Sequence, residues 1–185
     1  MEFNSFMVKK YRSYFGFLDV YHEGFITKAT FDQICENLCR VYSASPEKVR
    51  LLKAEVPKWW VHFQDLAENG KVSEQRYIDV IQSCFFLPTT LKTYRDNMAR
   101  AFGIIFDIID VDGDNYISIQ ELRKYYSAFG CTDQKFLRKV FEALDINRNG
   151  LISKENYMDV NDKYFFSRDS NSGCAFLFDW SRSGD

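Results

Sequence analysis

Nowhere in the 185 residues is there an apolar run approaching the roughly 20 residues that cross a bilayer. The opening MEFNSFMVKKYRSYF is aromatic and basic and lacks the apolar core of a signal peptide. Glu2 stands where N-myristoylation requires Gly. No membrane anchor and a cytoplasmic location are therefore expected. There is no block of like charge either, since net charge is −2 and pI about 5.8, so a nucleic-acid partner is not expected. Histidine is scarce: His22 and His62 lie far apart, with no Ser, Cys or acidic partner in a catalytic signature, and no enzyme is expected. The five cysteines are odd in number and lack CxxC spacing, which fits a reducing compartment and excludes a disulfide framework. Cys35 and Cys39 are one helical turn apart but have no third Cys or His nearby, so packing is their expected role. Four methionines, two of them Met1 and Met7 near the start, are too few for a promiscuous Met-lined groove.

Against these absences stands one dense pattern, DVDGDNYISIQE at 110–121. Asp110, Asp112 and Asp114 place carboxylates at positions 1, 3 and 5 of a twelve-residue loop. Tyr116 offers its carbonyl at 7, Ser118 stands at 9, and Glu121 brings two oxygens at 12. That spacing wraps one Ca²⁺, which takes about six to eight oxygens in flexible geometry, and it is the pattern of an EF-hand loop. Position 6, usually Gly because the chain turns sharply there, is Asn115, the residue that best tolerates the left-handed conformation after Gly.

Three further frames share this register, with a small turn residue at position 6 and a β-branched residue two places on. They start at Asp19 (Gly24, Ile26), Asp65 (Gly70, Val72) and Asp145 (Gly150, Ile152). Apolar positions recur on both sides of the frames: Phe15, Val61, Phe106 and Phe141 before them, Phe31, Tyr77, Leu122 and Tyr157 after them. That is the inward stripe of amphipathic helices. The expected fold is all-α, with four EF-hand helix-loop-helix repeats in two pairs packed into one compact unit and short β-bridges between paired loops. The N-terminal pair is placed in 1–90 (loops 19–30 and 65–76), and the C-terminal pair with its tail in 91–185 (loops 110–121 and 145–156).

The frames differ in what they offer a cation. At position 12 the first has Thr30, too short for bidentate ligation, and the second has Arg76, which repels calcium. Both are expected to survive as structural partners, pairing Ile26 with Val72. The fourth keeps Asp145, Asn147 and Asn149 at positions 1, 3 and 5 and the Leu151 carbonyl at 7, but Asn156 at position 12 gives one neutral oxygen. With one carboxylate among its ligands, against four in the third loop, it is expected to bind Ca²⁺ weakly or stay an ordered empty loop. Mg²⁺ is a candidate occupant because it accepts fewer protein oxygens and keeps its waters.

These frames, their unequal decay and the tail NDKYFFSRDSNSGCAFLFDW resemble the sarcoplasmic calcium-binding proteins and the related calexcitins, from about Tyr11 to the C-terminus. The resemblance implies two EF-hand pairs with a tail folded back on them, and a calcium buffer or calcium-responsive signalling protein; a monomer is expected. Any protein target is unidentified. The loss of Glu at position 12 of the fourth frame and the ending FDWSRSGD depart from that family. Photoproteins and luciferin-binding proteins share the fold, so an alternative is a calcium-regulated carrier of a small apolar or aromatic ligand in a central cavity. Trp59, Trp60, Phe85, Phe86 and Trp180 are candidate lining residues. Photoproteins end on Tyr-Pro and carry a late His; this chain ends Ser-Gly-Asp and has no His after His62, so light emission is not expected.

Overall fold

Asn4 begins the first helix: its side chain accepts from the Met7 amide at 3.0 Å, satisfying one of the four amides that a helix start leaves open. The computed structural model describes residues 3–43, 45–170 and 173–180. Glu2 and residues 181–185, on which the acylation and chain-end readings turn, lie outside them. The first half runs α1 (Ser5–Leu18), β1 (Phe25–Ile26), α2 (Lys28–Val41), α3 (Pro46–Trp59), α4 (Val61–Gln64), β2 (Val72–Ser73) and α5 (Glu74–Cys84). The second half runs α6 (Pro88–Ile109), β3 (Tyr116–Ile117), α7 (Ile119–Ser127), α8 (Gln134–Leu144), β4 (Ile152–Ser153) and α9 (Lys154–Phe166). The 22-residue α6, about 33 Å long, carries the chain from the first half to the third loop.

The short strands join the loops two by two. β1 pairs antiparallel with β2, setting Ile26 opposite Val72, and β3 pairs with β4, setting Ile117 opposite Ile152. All four side chains are fully buried, so each bridge closes its pair from the inside. The residue at position 9 caps the helix that leaves the loop. Thr27 and Thr30 form a reciprocal capping box on α2, Ser118 and Glu121 do so on α7, and Ser73 and Ser153 cap α5 and α9.

The second frame departs from the expected repeat. Glu68 and Lys71 exchange backbone hydrogen bonds at 2.9 and 3.0 Å around Asn69 and Gly70, whose φ values are +52° and +76°. Two positive φ values in an Asn-Gly pair make a two-residue hairpin turn, so the segment closes as a hairpin and not as a cation-wrapping loop. The helix before it is broken as well. α3 ends at Trp59, and only the single turn α4 precedes the turn region. Val61 is consequently 53% exposed and does not belong to the inward stripe in which the repeat placed it.

The core is aromatic. Tyr11, Phe15, Phe31, Phe106, Tyr164 and Phe165 are buried, and rings meet edge to face at Tyr11–Phe165, Tyr14–Phe165 and Phe106–Tyr157. The tail docks on this core. Leu177 and Phe178 are buried, Tyr126 donates its hydroxyl to the Leu177 carbonyl at 3.0 Å, and Ser13 donates to Asp179 Oδ1 at 3.3 Å. Two cross-bonds fix α1 against the end of α9: Tyr11 donates to the Phe165 carbonyl, and Tyr164 donates to that of Lys10.

Lys10 itself is 1% exposed and donates its ammonium to the Ser167 carbonyl at 2.6 Å. Burial lowers its pKa from the usual 10.5 to about 8, an effect partly offset by the Cys174 thiol. A lysine that loses its proton more easily when folded penalises the folded state below about pH 8, where both states carry the proton. The penalty fades as pH climbs towards 10.5. Urea denaturation of wild type and Lys10→Met at about pH 7.5 and 9.5 should therefore show wild type gaining on the variant by on the order of 1–3 kcal/mol. A gap that does not change with pH would place Lys10 at its ordinary pKa.

Candidate metal centre

Helix α6 stops at Asp110 because the backbone turns out of the helical region there (ψ 91°), so the first candidate ligand lies at the mouth of the third loop. Asp110 is 5% exposed, and its two oxygens organise the loop: Oδ1 accepts from the Gly113 amide at 2.8 Å, and Oδ2 from the Asn115 amide at 3.1 Å. Asn115 has φ +67°, the left-handed turn that brings the chain back towards Tyr116. Asp112 accepts from the Asp114 amide and Asp114 from the Tyr116 amide, each stiffening the next step. Carboxylate oxygens of Asp110, Asp112 and Asp114 lie within 4.8 Å of one another. Three converging carboxylates are unfavourable without a cation, and hard oxygens in this arrangement suit calcium, not zinc or copper.

Glu121 bridges the two ends of the loop. Oε1 accepts from the Val111 amide at 2.7 Å, and Oε2 accepts from the Ser118 amide and hydroxyl at 2.8 Å each. Its carboxylate is thus held at the loop's closure, where bidentate ligation would exchange these hydrogen bonds for an ion. Ser118 is occupied as helix cap and Glu121 partner, and Tyr116 leaves its side chain outside, 39% exposed.

The other three frames sort by the same test. Asp19 accepts from Glu23 and Gly24, and Asp145 from Asn149 and Gly150, so both keep the turn organised by the first aspartate. No such bond to Asp65 is found among the described residues, consistent with the hairpin in the second frame. Thr30 is spent on capping α2. In the fourth frame Asn149 accepts from the Leu151 amide at 3.0 Å, Asn156 is 9% exposed, and its buried Nδ2 finds no partner among the described residues. Glu155 beside it is exposed and does not take its place.

Contacts that the motif does not encode surround the third loop. Lys48 of α3 donates its ammonium to the carbonyls of Asp107 and Asp110. Lys154 pairs with the Asp107 carboxylate at 2.6 Å. Lys124 of α7 lies over the Tyr42 ring, 4.9 Å from its centre. No sequence signal pointed to Lys48 or Tyr42, because their partners lie more than 50 residues away.

A second feature lies in the first half and its junction with α6. A cavity of about 300 Å³ is walled by Tyr14, Phe31, Trp59, Tyr77, Tyr94 and Phe102, with His62, Thr90, Thr93 and Asn97 among its polar groups. Of the five aromatics proposed for such a cavity, only Trp59 lines it. Phe85 is buried against Phe3 and Tyr11, Phe86 is 61% exposed, Trp60 packs on Phe31, and Trp180 lies beside Gly130. Aromatic count alone does not say which rings face a void and which face each other.

Paired loops, bridging strands and an oxygen-lined third loop define the class, and comparison with known proteins agrees. Residues 99–160 match the family described as an EF-hand domain pair. The sarcoplasmic calcium-binding protein of Mizuhopecten yessoensis is 23% identical over 155 residues, covering 84% of this chain and 86% of the relative. The luciferin-binding protein of Renilla reniformis is 27% identical over 183 residues, covering 95% of each. Among solved structures, the calcium-loaded apo form of the coelenterazine-binding protein of Renilla muelleri superposes with a TM-score of 0.73. It is 22% identical and the match covers 94% of this chain and 95% of that one. The chain is a homologue of sarcoplasmic calcium-binding protein and one of the calcium-binding EF-hand proteins.

Proposed function

We propose that this is a monomeric, cytoplasmic and non-catalytic calcium-binding protein of low capacity, acting as a buffer or calcium-responsive signalling protein through one tight site at 110–121. The carrying observation is the contrast between the two loops of the second pair. The third clusters the oxygens of Asp110, Asp112 and Asp114 and closes on Glu121, with the Tyr116 carbonyl and Ser118 completing the set. The fourth, with Asp145, Asn147, Asn149 and the Leu151 carbonyl, ends on a neutral amide at Asn156, and is a weak site open to magnesium. A calorimetric calcium titration of the metal-free protein in millimolar magnesium tests this. One tight site is expected. Two tight sites would restore a high-capacity buffer, and no binding heat would remove calcium from the account.

The cavity favours a second reading, carriage of a small apolar or aromatic ligand. Its volume, about 300 Å³, lies at the lower end of ligand pockets, and its wall combines aromatic rings with few polar groups. Its relatives include a luciferin-binding protein and its structural neighbours a coelenterazine-binding protein. Titrating coelenterazine while following tryptophan emission decides it: saturable quenching supports carriage, because Trp59 is in the wall, and its absence ends that reading.

A further inference from the structure

An EF-hand loop is ordinarily described by its twelve residues and two flanking helices, yet here both flanks of the third loop are gripped by the α2–α3 hairpin of the first half. On the entering side, Lys48 donates to the carbonyls of Asp107 and Asp110. Those carbonyls sit at the C-terminal end of α6, where backbone acceptors lack helical partners and a cation is favoured. Asp107 is held twice, by Lys48 at its carbonyl and by Lys154, from the fourth loop, at its carboxylate. On the leaving side, Asn37 of α2 donates to the Ala128 carbonyl at the end of α7 at 3.0 Å, and Lys124 of α7 stacks over Tyr42. One rigid hairpin therefore fixes where the loop begins and where its exit helix ends.

We propose that Lys48 is the positioning residue that presets the third loop for calcium, and so makes the affinity of that site depend on a helix outside the EF-hand pair. The inference rests on the reading of 110–121 as the calcium site. The chemistry gives Lys48 two opposed effects. Its charge repels the incoming ion, and because Lys48 touches the loop itself that repulsion acts within a Debye length and weakens only as salt is added. Its hydrogen bonds hold the carbonyl of Asp110 itself, the residue whose carboxylate organises the loop, so the ordering cost of binding is met before the ion arrives. Holding outweighs repulsion because it acts through direct contact with the first ligand residue. Arg50 supplies an internal control. It lines the same hollow of about 640 Å³ beside Asp112 and Gly113, but the bonds to the helix end belong to Lys48.

The test compares calcium affinity and the chelator-induced dissociation rate of the full chain carrying Lys48→Met, Lys48→Arg or Arg50→Met, at low and high potassium chloride. Lys48→Met should bind about tenfold more weakly and release calcium faster, and the loss should persist at high salt. Lys48→Arg, which keeps the donors, should recover most of the affinity, and Arg50→Met should stay within about twofold of wild type. Lys48→Gln, with a shorter neutral donor, makes the same comparison if the methionine variant loses its fold. Binding by Lys48→Met as tight as wild type, or a loss that disappears in salt or is matched by Arg50→Met, would overturn the proposal. Those outcomes leave wild-type binding at the third loop intact, whereas failure of the site assignment itself would show as Glu121→Gln binding like wild type.

Discussion

Glu121→Gln should weaken calcium binding by about a hundredfold or more while leaving the protein folded. The substitution removes one of the loop's four carboxylates and one of the two oxygens that the proposed site has at its closing position. The fold should persist because Gln serves as well as Glu at the third position of a helix start. Its single oxygen can still accept from Ser118, one of the bonds that Glu121 makes now. Calorimetry of the variant beside thermal melts in chelator separates the two effects. Full affinity with an unchanged melt would mean that the ion is held elsewhere.

The converse substitution, Asn156→Glu, should convert the fourth loop into a second calcium site, raising affinity there by about 10- to 100-fold. The turn and the helix start of the loop are already prepared. Asp145 organises the turn through Asn149 and Gly150, Gly150 sits at φ +84°, and Ser153 already accepts from the Asn156 amide. Glu would complete a capping box with Ser153 and remove a buried amide nitrogen that has no hydrogen-bond partner among the described residues. Without calcium the new carboxylate adds a second negative charge to a loop that already carries Asp145, so the ion-free variant should melt lower than wild type and the calcium-loaded one higher. A stoichiometry that stays at one ion would show that the obstacle lies outside position 12.

What the sequence made legible was whatever rested on local spacing. The turn of 110–121 at Asn115, the pairing of Ile26 with Val72 and the inward Phe15, Phe106 and Phe141 all follow from a fixed register between loop and helix. In the second frame the register misplaced only Val61 and the helix that enters the turn. Asn69-Gly70 is also a strong two-residue hairpin signal, and once Asp65 lost its partners at positions 3 and 12 that signal prevailed, leaving Val61 outside the core. Lys48, Tyr42 and the lining of the cavity beyond Trp59 were not legible, because each depends on how α2 and α3 sit against α6 and α7. A lone Lys at the start of a helix carries no mark of the carbonyls it will meet about 60 residues later. The tail's return onto the core was implied by the family resemblance, but its polar ties were not legible, since they use Tyr126 and Ser13, which have no sequence relation to it.

The most direct test of the central claim is a calcium titration of ¹⁵N-labelled, metal-free protein followed amide by amide. The account predicts that Asn115, Ile117 and Val111 shift to completion with the first equivalent of calcium, while Gly150 and Ile152 respond only at much higher calcium and Gly24 and Gly70 report no ion of their own. First-equivalent shifts centred on Gly150 and Ile152, with the third loop unmoved, would contradict it.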